Sequence, residues 1–148
     1  ARKDEIELNA LIEEVLADLE PLAQEKEVKL VEESEELVMT GSDILIYRMI
    51  YNLVENAIKY NHVGGQVLVK AAQKDTDIVI EVEDTGNGIS EFRERVFEPF
   101  FRVDKSRSRA LGGVGLGLAM VREIVRVHDG KISIKENEHG GTTFEVVL

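Results

Sequence analysis

Four residues near the middle of the chain combine chemically useful types with helical spacing. Asn56 follows Asn52 by four residues, and Lys59 and Tyr60 follow Asn56 by three and by four. On a helix such separations share one face and span about 12 Å of axis. Amide oxygens suit a hard cation such as Mg2+, an ammonium suits phosphate, and a phenol ring can lie beside a base. Asparagine disfavours helix interiors and its amide demands partners. The face is therefore either a ligand surface or the solvated side of the helix.

Two glycine-bearing segments offer further chemistry. Asp84-Thr85-Gly86-Asn87-Gly88-Ile89 directly follows a β-rich run. A strand there delivers the Asp84 carboxylate to its end, where it can accept a hydrogen bond from an amino group such as the exocyclic amine of adenine. Gly86 and Gly88 let a backbone approach closely; an ordinary turn is the other reading. A calcium loop is excluded, since Gly86 and Gly88 stand where its oxygen ligands belong. Gly112-Gly113-Val114-Gly115-Leu116-Gly117-Leu118 runs straight into a helical pattern. Converging N–H groups and the positive end of the following helix make a phosphate cradle. Neither the dinucleotide fingerprint nor the Walker pattern fits, because no strand precedes the glycines and no Lys-Ser/Thr pair follows.

Between these segments lies a basic stretch: Arg93, Arg95, Arg102, Lys105, Arg107 and Arg109 against Glu94, Glu98 and Asp104. It is either a solvated loop or a surface that meets a small anion. Phe100 and Phe101 could anchor a lid there while Arg102 reaches for phosphate.

The elements that must position these groups follow from periodicity. Leu8, Leu11, Ile12, Val15, Leu16, Leu19 and Leu22 mark an amphipathic helix over 8–25. Short strands are expected at 28–31 and 37–39. Gly41-Ser42-Asp43 caps a second helix over about 43–61. Strand-rich runs at 67–72 and 78–84 flank Lys74-Asp75-Thr76-Asp77, a hairpin turn. A third helix fits 115–128, and strands at 131–135 and 142–148 close a hairpin around Gly140-Gly141. The pattern is α+β: a two-layer sandwich with a mixed, mostly antiparallel sheet and the helices on one face. About thirty residues between Asp84 and Gly115 lack periodicity, which a compact domain tolerates when the loop is functional.

The 148 residues fit a single domain. Cysteine is absent, which excludes disulfides, thiolate metal sites and a cysteine nucleophile. The net charge of −11 argues against nucleic acid partners and against contact with anionic membranes. No apolar stretch approaches the ~20 residues of a membrane span, and no signal-peptide core follows the N-terminus, so a cytoplasmic setting is expected, with a parent protein that can still be membrane-anchored.

Taken together, Asn52-Leu-Val-Glu-Asn56-Ala-Ile-Lys59-Tyr60 resembles the N box of the sensor histidine kinases of two-component systems. Asp84-Thr-Gly86-Asn-Gly88 resembles their G1 box, Phe97-Glu-Pro-Phe-Phe101-Arg102 their F box, and Gly113-Val-Gly115-Leu-Gly117-Leu118 their G2 box. Val127-His128-Asp-Gly130-Lys-Ile132 and Gly141-Thr-Thr-Phe144 resemble that domain's closing strands. The resemblance implies the Bergerat ATP-binding fold, in which ATP lies between helices and a flexible lid, here about residues 92–114. It implies that Asn56, with Asn52, holds Mg2+, and that Lys59 and Arg102 neutralise the γ-phosphate as the catalytic pair. Tyr60 would pack beside adenine and Asp84 would take its amino group, with Gly86 and Gly88 shaping the pocket. Gly113, Gly115 and Gly117 would present N–H groups to the phosphates, and Ile89, Phe101, Leu116 and Leu118 would complete the site. Val114 stands where the family often has Thr or Ser, so one hydroxyl is missing.

In ATPase relatives a glutamate four residues before the metal-binding asparagine activates water. Asn52 occupies that position and cannot act as a general base, so an imidazole is the expected nucleophile. The family's acceptor histidine lies in a preceding helical segment, and His62, His128 and His139 do not match its motif; all three read as structural or surface residues. The implied partners are ATP and ADP, a dimerisation and histidine-phosphotransfer domain, and a response regulator. Residues 1–7 are expected to be the remnant of a connecting helix. An ATP-gated binding module or an ATPase of the same fold is the alternative.

Overall fold

The computed structural model describes residues 4–85, 116–138 and 140–148. The chain enters through a short strand, β1 (Asp4–Glu7), and turns directly into helix α1 (Leu8–Lys26). In α1 the buried residues Leu8, Ile12, Val15, Leu19 and Ala23 form one stripe at helical spacing. The helix closes at Glu27, whose left-handed backbone (φ 56°) returns its N–H to the carbonyls of Ala23 and Gln24. Strands β2 (Lys29–Ser34) and β3 (Val38–Gly41) follow.

Helix α2 (Asp43–Lys59) begins at Ser42, whose Oγ accepts the Leu45 N–H at 3.3 Å. It buries Ile46, Met49, Ile50, Leu53, Val54, Ala57 and Ile58. Strands β4 (Gln66–Lys74) and β5 (Asp77–Asp84) form a hairpin whose turn is made at Asp75, φ 56°. Helix α3 (Leu116–Val127) buries Leu118, Val121, Ile124 and Val125. Strands β6 (Lys131–Glu136) and β7 (Thr142–Val147) complete the chain.

The main sheet runs β2-β4-β5-β7-β6, with β2 and β4 parallel and the other neighbours antiparallel. Helix α2 lies between α1 and α3 and rests on β4 and β5. Strand alternation decides what faces it. Ile78, Ile80, Val82 and Asp84 share one face of β5, alongside Val67, Val69 and Ala71 of β4 and Thr142, Phe144 and Val146 of β7. Asp84 therefore ends a row of core positions, on the side covered by the helices.

The opposite face carries cross-strand pairs, Lys70–Glu83 at 3.1 Å and Lys135–Glu145 at 3.2 Å. Such part-exposed pairs contribute at most about 1 kcal/mol each. Each fully buried Leu, Ile or Phe contributes roughly 1.5–3 kcal/mol, so the apolar layer between sheet and helices holds the fold.

The α+β architecture, with three helices among the described residues over one face of a mixed, mostly antiparallel sheet, is the one expected from the pattern. One stretch differs. Residues 4–7, expected as part of a connecting helix, are a strand paired antiparallel with β3, Ile6 opposite Met39 and nearly inaccessible to solvent. Among the described residues no helix is long and apolar enough to cross a membrane. The expected lid at about 92–114 lies outside the described residues.

Candidate functional site

The helical face reads off α2 as its spacing requires. Asn52 Nδ2 donates to the Arg48 carbonyl at 2.7 Å, and Asn56 Nδ2 donates to the Asn52 carbonyl at 2.8 Å. Both amide nitrogens are thus tied to the helix that carries them, which orients the amide oxygens. Asn52 Oδ1 faces α3: a Cβ on Gly117 would lie 3.0 Å from it, and 3.8 Å from Asn56 Nδ2. The N-terminal turn of α3 is therefore held flush against the two asparagines by the absence of a side chain at Gly117. One turn further along α2, Lys59 Nζ stands 3.8 Å from Glu55 Oε1, both half-buried. Tyr60 caps the helix and is half-buried.

The end of β5 lies next to the end of α2. Thr85 donates its N–H to the Gln66 carbonyl at 3.2 Å and its hydroxyl to Asn61 Oδ1 at 3.4 Å, while its Oγ1 accepts the Gln66 N–H at 2.9 Å. His62 Nε2 lies 3.0 Å from the Thr85 carbonyl. Asp84 itself is only 6% exposed. Its Oδ1 accepts the Thr142 N–H at 3.1 Å, and its carbonyl accepts Asn137 Nδ2 at 2.8 Å. A Cβ on Gly141 would fall 1.9 Å from that carbonyl oxygen, so only glycine fits there.

A cleft of about 570 Å³ runs between α1 and α2 past Tyr47, Arg48 and Asn52 to Met120 of α3. The Tyr47 hydroxyl donates to the Asp18 carboxylate across the two helices, and burial together with that contact pushes its pKa up to about 12. A second cavity, about 450 Å³, touches Asp84 and Thr85 but opens among Leu68, Lys70 and Glu83 on the other face of the sheet.

The sequence-expected residues Asn52, Asn56, Lys59, Tyr60 and Gly117 are thus gathered along α2 and the start of α3, and Asp84 lies at the strand end beside the C-terminus of α2. Leu118 is buried between α3 and the core, and Leu116 opens α3. Gly86, Gly88, Ile89, Phe101, Arg102, Gly113, Gly115 and the basic stretch lie outside the described residues, as does His139. His128 and His62 both hold main chain: His128 Nδ1 lies 2.9 Å from the Ile124 carbonyl, and its Nε2 accepts the Ser42 N–H at 3.2 Å.

Residues 41–148 match the family model of histidine kinase-, DNA gyrase B- and HSP90-like ATPases. The chain belongs to this ATPase family. Among curated members, it is 36% identical over 146 residues to the sensor-like histidine kinase SenX3 of Mycobacterium tuberculosis, covering 97% of this chain and 36% of that one. It is 34% identical to the heme sensor protein HssS of Staphylococcus saprophyticus, covering 98% of this chain and 31% of that one. The chain thus spans about a third of the length of these relatives. The catalytic domain of the histidine kinase ThkA superposes with a TM-score of 0.87 at 28% identity, covering 100% of this chain and 95% of that one. Full-length ShkA, in complex with AMPPNP, gives 0.86 at 25% identity, covering 99% of this chain and 30% of that one.

Within this ATPase fold, three further residues support the site, with little or no sequence signature. Asn137 and Gly141 act on the Asp84 backbone and Asn61 on the Thr85 hydroxyl, all across long separations. Only Gly141, beside a second glycine in a turn, gave any signal.

Proposed function

We propose that the chain is the ATP-binding catalytic domain of a sensor histidine kinase, one domain over 1–148 with its lid at about 92–114. It transfers the γ-phosphoryl group of ATP to the imidazole of an acceptor histidine on a dimerisation domain of the same protein, for onward transfer to a response-regulator aspartate. The observation that carries this is the seating of Gly117 against Asn52 and Asn56: it brings the hard amide oxygen of Asn52, with the Asn56 amide beside it, to the N-terminus of α3, the place where phosphate and its counter-cation belong. Buried Asp84, at the neighbouring strand end, is the group suited to an adenine amine.

The donor set fits Mg2+, which takes neutral and anionic oxygens and shares its coordination with phosphates. Asn56 and Asn52 would hold it, and when bound it would supply charge neutralisation along the triphosphate. Lys59 moves from Glu55 toward the γ-phosphate, a favourable exchange of one carboxylate for a more highly charged partner. Arg102 is its counterpart from the lid, and Gly113, Gly115 and Gly117 cradle the phosphates. Gly86, Gly88, Ile89, Phe101, Leu116 and Leu118 enclose the nucleotide, with Tyr60 beside the base. Phosphoryl transfer asks chiefly for such positioning and charge stabilisation. ShkA, similar in fold, was solved with AMPPNP, an ATP analogue.

Asn52 favours a kinase over a hydrolase, because an amide cannot deprotonate water. Glu55 is the adjacent carboxylate, but one residue along a helix it points about 100° away from Asn56. Mixing the chain with labelled ATP, Mg2+ and a separately made acceptor domain tests the reading. Acid-labile, base-stable phosphate on the partner's histidine is the expected result. Normal ATP binding with no such phosphate, or with release of inorganic phosphate alone, contradicts it.

A further inference from the structure

The ladder between β5 and β7 stops one residue short of the group it should serve. Ile78 and Leu148 exchange both backbone hydrogen bonds, 3.0 and 2.8 Å, so the bonded pairs on this ladder fall at even positions of β5. The pairing ends at Glu83 opposite Thr143. Continued by one residue, it would pair Asp84 with Thr142 and bring the Thr142 N–H to the Asp84 carbonyl. That N–H instead meets the carboxylate, at Oδ1. The Asp84 carbonyl takes the side-chain amide of Asn137, 53 residues away in sequence, at 2.8 Å.

We infer that Asn137 is a positioning residue for base recognition: its amide replaces the missing ladder bond and so frees the Thr142 N–H to orient the Asp84 carboxylate. The inference rests on Asp84 reading the adenine amine, as proposed above. Asn137 is itself fixed in the β6–β7 turn. Its N–H donates to the Gly141 carbonyl at 3.0 Å, its Oδ1 accepts the Gly141 N–H at 3.0 Å, and its Nδ2 also reaches Thr143 Oγ1 at 3.4 Å. Holding the Asp84 carbonyl fixes the last peptide plane of the strand, and with it the direction of the Cα–Cβ bond. On the opposite flank, Asn61 and Gln66 fix Thr85. The strand end that carries the carboxylate is thus held from two sides.

The readout is the ratio of affinities for ATP and for purine riboside triphosphate, which lacks the exocyclic amine, measured by calorimetric titration on the whole chain. Asn137→Asp keeps an acceptor for the Gly141 N–H, and hence the turn, but presents an oxygen to the Asp84 carbonyl. It should lower the ATP preference about tenfold, the size of one hydrogen bond to a charged group, and leave purine riboside triphosphate binding within about twofold. Should Asn137→Asp fail to fold, Asn137→Ser, too short to span to Asp84, carries the same readout. Asp84→Asn separates the two levels. If it abolishes the preference while folded Asn137 variants keep it, the positioning role is overturned and the base reading stands. If Asp84→Asn keeps the preference, the base reading fails and this inference with it. In the double variant, no loss beyond Asp84→Asn alone is expected, and additive losses contradict the coupling.

Discussion

The two ends of the site are built by opposite means. At Asp84 the carboxylate is buried, and backbone or side-chain groups from β4, β7, the β6–β7 turn and the end of α2 fix it and its neighbour. At Asn52 and Asn56 the amides are half-buried and, among the described residues, bonded to their own helix, and Lys59 rests on a helical neighbour at 3.8 Å. One end is a rigid reader. The other is a row of side chains held by single local contacts on one helix. Specificity for a base calls for groups that cannot adapt, because an unmatched partner must cost binding energy. A triphosphate with its counter-ion calls for groups that can move as charge shifts.

Gly141 and Gly117 sharpen that contrast. A Cβ at Gly141 meets the Asp84 backbone at 1.9 Å, where nothing can yield. Gly141→Ala should therefore cost about 3 kcal/mol and lower the melting temperature by roughly 10 °C, with ATP affinity lost as well. A variant that melts like the parent would show this end to be adaptable after all. Asn56→Asp should leave the melting curve in place and weaken Mg-ATP binding about tenfold, by placing a fixed charge beside phosphate; parental affinity in titration would move the phosphate end elsewhere. Gly117→Ala meets chiefly the end of the Asn52 side chain, at 3.0 Å, and alanine recovers up to ~1 kcal/mol of helix propensity. Its melting temperature should stay near the parent's, with ATP affinity down about threefold. A fall as steep as that of Gly141→Ala would erase the difference between the ends.

The smallest effect concerns the far side of α2. Tyr47, pushed up to about 12 by burial and by Asp18, holds its proton more tightly folded than unfolded, where the ordinary value is 10.0. A raised value means its stabilisation is complete below pH 10 and is lost as pH rises toward 12. Chemical denaturation at pH 8 and pH 11 should show the parent losing more of its midpoint than Tyr47→Phe does. Equal losses would mean that the contact with Asp18 does not hold in solution.

The parts of this molecule that were legible in the sequence are those with a period. Ile46, Met49, Ile50, Leu53 and Val54 announce α2 and, by subtraction, the face that carries Asn52 and Asn56. Alternation in Ile78-Val79-Ile80-Glu81-Val82 announces a strand that carries Asp84 to its end on the core side. β1 was missed because four residues, three of them acidic, show no alternation, and its only apolar member, Ile6, is buried by pairing with a strand over thirty residues away. Asn137 and Asn61 were missed for a different reason. A side chain that bonds a group distant in sequence has no partner at fixed spacing, so nothing local marks it out from the asparagines of ordinary turns.

Backbone amide resonances report both ends at once. Adenosine added to the chain should shift Thr85, Asn137 and Thr142 and leave Asn52, Asn56 and Gly117 in place; Mg-ATP should then shift both groups. Mg-ATP that binds while leaving Thr85 and Thr142, or Asn52 and Asn56, unmoved would contradict a site built from these two ends.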